Sequence, residues 1–320
     1  MDKRVKKAME PFWMENFGNP NALYKEGLIA RNATETARED AAKVLGARAK
    51  EIIFTNGGTE SDNLAILGVI GEASQNFSRF TLPRSVAGSD ASQNFDLPRL
   101  NAFFPLFHTD ACQAPGYLDL NVERLGVDLL TLNGSKIYGP KGIGLLYVKN
   151  GIKLKPLLYG GEQEKGLRPG TENVPAIVVL AEALKIADQE REKESARLVK
   201  LRDYFTDRLL NEIPKTVLNG HSTQRLPNNI NVSILDAEGE SMVLYLDEAG
   251  VACSTGSACT SESLEPSHVI LAIGKPHAYA HGAMRFSLGR STTKKDIDYV
   301  MSILPDIIKK LRMFSPVNIK

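Results

Sequence analysis

Apolar residues recur along this chain at two alternating spacings, one helical and one strand-like. Val5, Met9 and Phe12 stand at helical spacing, Asn19-Pro20 breaks the pattern, and a second helix is predicted over 22–45 through Leu28, Ala37, Ala41 and Leu45. The apolar run over 51–55 reads as a strand and leads directly into Asn56-Gly57-Gly58-Thr59-Glu60 and an apolar helical stretch over 63–70. Strand, glycine turn and helix in that order form an α/β unit. Three further strands are predicted over 106–109, 127–132 and 144–148. A long amphipathic stretch over 174–213 carries Ile177, Leu180, Leu184, Leu198, Leu201, Phe205 and Leu209. Beyond it, strands over 229–235, 250–253 and 283–287 alternate with helices over 238–248, 266–273 and 294–311. Thr293 and Asp296 predict a capping box for the last helix, and Pro305 predicts a kink in it.

The segment 71–107 follows no such period. Ala-Ser-Gln-Asn-Phe occurs at 73–77 and again at 91–95, and Leu-Pro-Arg at 82–84 and 97–99. A structureless stretch of that length is uncommon inside a compact domain.

Composition narrows the class. The 320 residues are 42% hydrophobic and 24% charged, which excludes disordered, collagen-like and disulfide-stapled chains and suggests two domains. Lys and Arg (39) nearly balance Asp and Glu (38), leaving +1, so no overall basic field exists to gather nucleic acid or anionic lipid. A small-molecule partner is expected, with no direct nucleic-acid contact. No apolar run reaches the ~18 residues of a membrane span, and the basic N-terminus lacks the apolar core of a signal peptide. Three cysteines (Cys112, Cys253, Cys259) are an odd number in a long chain and point to a reducing, cytoplasmic setting.

Candidate chemistry gathers at strand ends. Lys136 follows the run 127–132 in Asn133-Gly134-Ser135-Lys136, where an amine can condense with an aldehyde. A lone lysine in such a loop is ordinarily a solvated one. Asp110, in His108-Thr-Asp-Ala-Cys-Gln113, can pair with a protonated pyridine nitrogen, and Gln113 can reach the phenolic oxygen of the same ring. An aspartate there can equally cap the next helix. Gly57-Gly58-Thr59 at a helix start offers free N–H groups and a hydroxyl to a phosphate, although glycine turns before helices are common. Together, amine, carboxylate and cradle describe a pyridoxal phosphate site at the carboxyl ends of an open sheet.

Further on, Cys259 lies among Ser, Thr and Gly and reads as an exposed, reactive thiol, whereas Cys253 sits in an apolar setting and reads as packed and inert. Arg285 alternates with Met284 and Phe286, so its guanidinium can hold a carboxylate. Cys112, Cys253, Cys259 and His268 lack the paired spacing of a zinc site, and no metal is expected.

At these residues the chain resembles the cysteine desulfurases, a class-V aminotransferase group among the fold-type I pyridoxal phosphate enzymes. The stretches that carry the resemblance are 16–20, 54–61, 108–113, Lys136-Ile-Tyr-Gly-Pro-Lys-Gly142, Gly166-Leu-Arg-Pro-Gly-Thr-Glu-Asn173, 256–261 and 285–290. The resemblance implies an α/β fold: a large lobe over 16–210 with a mainly parallel central sheet, and a smaller α+β lobe formed by 1–15 and 211–320 that carries the cysteine loop. It implies that Lys136 holds the cofactor and shuttles protons, and that Asp110 and Gln113 contact its ring. Gly58, Thr59, Asn133 and Ser135 would hold its phosphate. Thr171 would reach the phosphate of a partner subunit, hence a homodimer. Arg285 and Asn19 would bind L-cysteine, and Cys259 would take its sulfur as a persulfide, releasing alanine and passing sulfur to an iron–sulfur scaffold or a thiolation relay.

The segment 71–107 departs from the family. Relatives place there a ring-stacking histidine and an Asn-Asn-Glu stretch, whereas this segment has no histidine, and Asn76, Asn94 and Asn101 sit in no such motif. Two alternatives therefore stand beside the desulfurase: an inactive, dimerising family remnant, and a lyase for selenocysteine or cysteine sulfinate.

Overall fold

The computed structural model describes residues 1–78, 105–256 and 267–314, with backbone alone over 72–78. The repeated peptides beyond Ser78 and the Cys259 loop lie outside the described residues. The chain divides into two compact units, Met1–Arg191 and Glu192–Lys320.

The first unit is built from α1 (Lys3–Met9), α2 (Lys25–Leu45), β1 (Ile52–Thr55), α3 (Gly58–Ser78), β2 (His108–Asp110), α4 (Val122–Leu125), β3 (Leu129–Asn133), β4 (Gly144–Val148) and the first half of α5 (Val174–Glu212). The strands lie in the order β1-β4-β3-β2. Only β2 and β3 pair in parallel; β4 runs antiparallel to both β3 and β1. The sheet is thus mixed where a mainly parallel one was expected. The reason is local: residues 134–143 hold one short 3-10 turn and no crossover helix, and a parallel return needs a dozen or more residues. β1, β2 and β3 still share one direction, so their carboxyl ends meet at one edge.

Both faces of this sheet are covered, which explains its unbroken apolar runs. Ile52, Phe54, Leu130, Leu132 and Leu145 pack with Leu45, Leu180 and Leu184 in one core. The alternate residues Ile53, Leu129 and Leu146 pack with Leu64 and Ala65 of α3 in a second. Each fully buried Leu or Ile contributes about 1.5–3 kcal/mol.

The N-terminal segment belongs to this unit rather than to the small lobe: Val5 is fully buried in its core, and the Asp2 N–H donates to the Tyr138 carbonyl at 2.9 Å. The boundary near residue 191 falls in the middle of α5, not close to its end at 210. α3 starts at Gly58, where the glycine turn placed a helix start, and runs past the apolar stretch 63–70 to Ser78, so the first repeat, Ala73–Phe77, is helical. No proline interrupts it before Pro83.

The second unit contains the rest of α5, β5 (Thr216–Leu218), β6 (Asn229–Ile234), α6 (Gly239–Glu248), α7 (His268–Ala272), α8 (His277–His281), β7 (Ala283–Ser287) and α9 (Lys294–Phe314). β5-β6-β7 form an antiparallel sheet, with Ile230 opposite Phe286. The strand expected over 250–253 is absent; a single bridge joins Ser254 to Arg285 instead. α9 buries Ile297, Val300, Met301, Leu304 and Ile308 at helical spacing and continues through Pro305. Its capping box forms as expected, with the Thr293 N–H on Asp296 at 2.7 Å. Phe205 is buried and meets Phe286 edge-on, with ring centroids 4.9 Å apart.

Two outcomes are expected. Phe205→Ala removes a buried ring and lowers unfolding free energy by about 3–5 kcal/mol in urea titration. The second concerns Glu51, which accepts from the Arg48 N–H and guanidinium and from the Asn150 N–H, at 2.7–2.8 Å. The Arg48 hydrogen bond, ahead of burial, holds its carboxyl down at about 2. A lowered carboxyl stabilises the fold fully above its unfolded value, 4.5, and the contribution disappears as pH falls through 2. Glu51→Gln then costs about 2 kcal/mol at pH 7 and much less near pH 2. Equal losses at both pH values contradict this.

Candidate active site

β1 ends at Thr55, and the chain turns through Asn56 and Gly57 into α3. The first N–H groups of that helix, from Gly58 onward, have no intrahelical acceptor. The turn beneath them is fixed: Thr55 Oγ1 lies 2.7 Å from Ser61 Oγ, and the Ser61 N–H donates to the Gly57 carbonyl at 3.1 Å. Thr59 is exposed at the helix mouth. A Cβ on Gly58 would stand 2.9 Å from Cys112 Sγ and 3.6 Å from Asn133 Nδ2, so the cradle, β2 and β3 meet here.

Asp110 is the last residue of β2 and is exposed, with one carboxylate oxygen accepting the Cys112 N–H at 2.9 Å. Its parallel partner on β3 is Thr131. Two residues on, Asn133 closes β3, and its Oδ1 accepts both the N–H and the hydroxyl of Ser135 at 2.9 Å. That cap shapes the single turn Gly134–Lys136, which presents Lys136 exposed. Gln113 is exposed beyond Asp110.

The Cys112 thiol registers this convergence. Burial raises its pKa well above the usual thiol value, the Asp110 hydrogen bond and the Asp110 and Asp62 charges raise it further, and Lys136 opposes them. Asp110 and the helix mouth thus both meet Cys112 at the common edge of β1, β2 and β3, and Lys136 stands three residues after Asn133, which borders the same mouth. The donor set fits pyridoxal phosphate: a carboxylate for a ring nitrogen, an amine for an aldehyde, and N–H and hydroxyl donors for a phosphate. The glycine at 58 keeps that cradle open.

Thr171 and Asn19 are also exposed on this unit. Asn19 Oδ1 accepts the Asn21 N–H at 2.9 Å, and Asn21 donates to Glu172, beside Thr171, at 3.1 Å. Arg285 lies in the second unit, at the centre of β7, its backbone bonded in both directions to Ser254. Cys253 is half-buried, and burial pushes its thiol up to about 11, in keeping with a packed, unreactive side chain. Cys259 lies outside the described residues.

Several neighbours escaped the sequence reading. His108 Nε2 lies 3.0 Å from Thr131 Oγ1 and 3.5 Å from Asp62 Oδ1, and burial raises the Asp62 carboxyl. His108 was legible as Asp110's neighbour on the same strand face, but Asp62 was not. Glu164, buried against Arg38 at 2.7 and 2.9 Å, and Arg168, 3.2 Å from Glu60, were likewise missed. Among the described residues no three His, Cys, Asp or Glu stand together as metal ligands, and no helix is long and apolar enough to cross a membrane.

The class-V aminotransferase family model matches residues 1–77 and 104–300. The cysteine desulfurase IscS of Methanosarcina thermophila is 42% identical over 371 aligned positions, covering 99% of this chain and 92% of that one. The same-named protein of Dictyoglomus turgidum is 42% identical over 367, covering 98% and 93%. These alignments exceed the chain's 320 residues, so both relatives carry positions that it lacks. Among solved structures, a NifS-like protein superposes with TM-score 0.80 at 28% identity, covering 97% of this chain and 96% of that one. The structure titled SspA in complex with cysteine gives 0.67 at 30%, covering 90% and 95%. The family is pyridoxal phosphate-dependent, as the donor set requires. Strand-end chemistry, fold and likeness agree: this chain belongs to the class-V aminotransferase family, among its cysteine desulfurases.

Proposed function

We propose that this protein is a cysteine desulfurase that takes sulfur from L-cysteine onto Cys259 and releases L-alanine. The observation that carries the reading is that Asp110 and the Gly58-Thr59 helix mouth meet at Cys112, with the Asn133–Lys136 turn bordering the same mouth, in a chain of this family. Bound pyridoxal phosphate supplies the electron sink that makes the substrate's Cα proton removable. Lys136 holds the cofactor through its amine and then moves the Cα proton. The Asp110 carboxylate keeps the ring nitrogen protonated. Gly58, Thr59, Asn133 and Ser135 hold the phosphate, Gln113 the ring oxygen, and Arg285 with Asn19 the substrate. The Cys259 thiolate attacks the substrate sulfur: the carbon–sulfur bond breaks, a sulfur–sulfur bond forms, and the carbon takes a proton. No outside oxidant is consumed.

The same reading places Thr171 at the phosphate of a second subunit in a homodimer. It assigns a protein acceptor for the sulfur, an iron–sulfur scaffold or a thiolation relay, and a cytoplasmic setting. The complex of the related SspA with cysteine supports L-cysteine over selenocysteine or cysteine sulfinate. A second reading, a remnant that binds without turning over, is favoured by one feature: the family model skips 78–103.

Two experiments test these assignments. Pyridoxal phosphate should give the purified protein visible absorbance that borohydride quenches, with the reduced label on Lys136; Lys136→Ala should show neither. With L-cysteine and a thiol reductant, the parent should yield sulfide and alanine in equal amounts. Cys259→Ala should lose turnover while keeping the absorbance, and Asp110→Asn should lose about a hundredfold, the scale of one preorganised electrostatic partner. A coloured but silent parent would establish the remnant instead.

A further inference from the structure

The turn Gln163–Gly166 holds backbone conformations that ordinary residues avoid. Glu164 (φ 46°) and Lys165 (φ 61°) are both left-handed without being glycine. Such residues persist only where their surroundings enforce them, and they gather near functional sites. Glu164 is buried, takes both terminal nitrogens of Arg38 at 2.9 and 2.7 Å, and accepts the Phe54 N–H of β1 at 2.8 Å. The Lys165 amine donates to the Lys50 and Ile52 carbonyls. Gln163 Oε1 accepts the Gly170 N–H at 3.2 Å and closes the loop on itself.

The loop's free side points the same way. Arg168 Nε meets Glu60 Oε1 at 3.2 Å, while Glu60 Oε2 accepts the Asn56 N–H at 3.1 Å. Glu60 directly follows Thr59 in the first turn of α3, and Asn56 directly precedes Gly57. A buried ion pair on β1 thus holds a strained turn, the turn delivers a guanidinium, and the guanidinium orients the carboxylate that fixes the mouth of the helix.

We propose that Arg38 and Glu164 are positioning residues for the phosphate cradle, acting through Arg168 and Glu60. The inference rests on the reading of Gly58-Thr59 as the phosphate site. Buried ion pairs add little net stability over apolar residues but can specify one arrangement, which is the role assigned here.

Glu60→Ala separates positioning from simple electrostatics, because the two predict opposite signs. Removing a negative charge beside the cradle should tighten anion binding; losing the Asn56 and Arg168 contacts should weaken it. Inorganic phosphate binding to the cofactor-free full chain, followed by 31P NMR, and pyridoxal phosphate affinity, followed by absorbance, provide readouts independent of turnover. Both affinities should fall about tenfold in Glu60→Ala, the scale of one charge-assisted hydrogen bond, with the thermal midpoint unchanged. Glu164→Gln should show the same loss together with a lower midpoint. Phosphate binding in Glu60→Ala equal to or tighter than in the parent overturns the proposal. A parent that binds neither phosphate nor pyridoxal phosphate overturns the cradle reading, and the proposal with it.

Discussion

A Cβ on Gly144 of β4 would lie 2.6 Å from the carbonyl carbon of Gly57, and one on Gly58 would lie 2.9 Å from Cys112 Sγ. These two close approaches are the constraint on which the first unit depends. They let the turn after β1 lie directly against the start of β4 and the residues beyond β2. Side chains at either place would push the helix mouth away from Asp110 and from the Asn133–Lys136 turn. The edge where three strand ends meet would then open, and its charged groups would no longer share one environment.

The strands that carry the site were legible because they are buried on both faces. Ile52-Ile53-Phe54 and Leu129-Leu130 are uninterrupted apolar runs, and each face of the sheet claims alternate members. The candidate residues were legible for a different reason: Asp110 and Lys136 are polar groups that follow apolar runs within three or four residues, at strand ends. Strand direction was not legible, since no local pattern distinguishes a β4 that returns antiparallel. The onset of α3 was marked by Gly57-Gly58-Thr59 alone, because its first turn is polar and the apolar period begins only near Asn63.

Long-range pairs were the least legible. Arg38 and Glu164 stand 126 positions apart, and neither residue type announces a buried partner. Left-handed backbone at Glu164 and Lys165 carries no compositional signal, since Gly and Asn are the residues that flag it. The first helix, read as part of the small lobe, packs on the large unit through Val5, Ala8 and Met9 and pairs Arg4 with Glu190, contacts that spacing alone does not reveal.

On the proposed function, Cys112 brings a nucleophile into the neighbourhood of an aldehyde, where sulfur and nitrogen would contend for the same carbon. Thiolate is the reactive form of sulfur, and burial together with Asp110 and Asp62 keeps this side chain protonated. Burial first, and two neighbouring carboxylates after it, thus silence a rival to the amine of the proposed site.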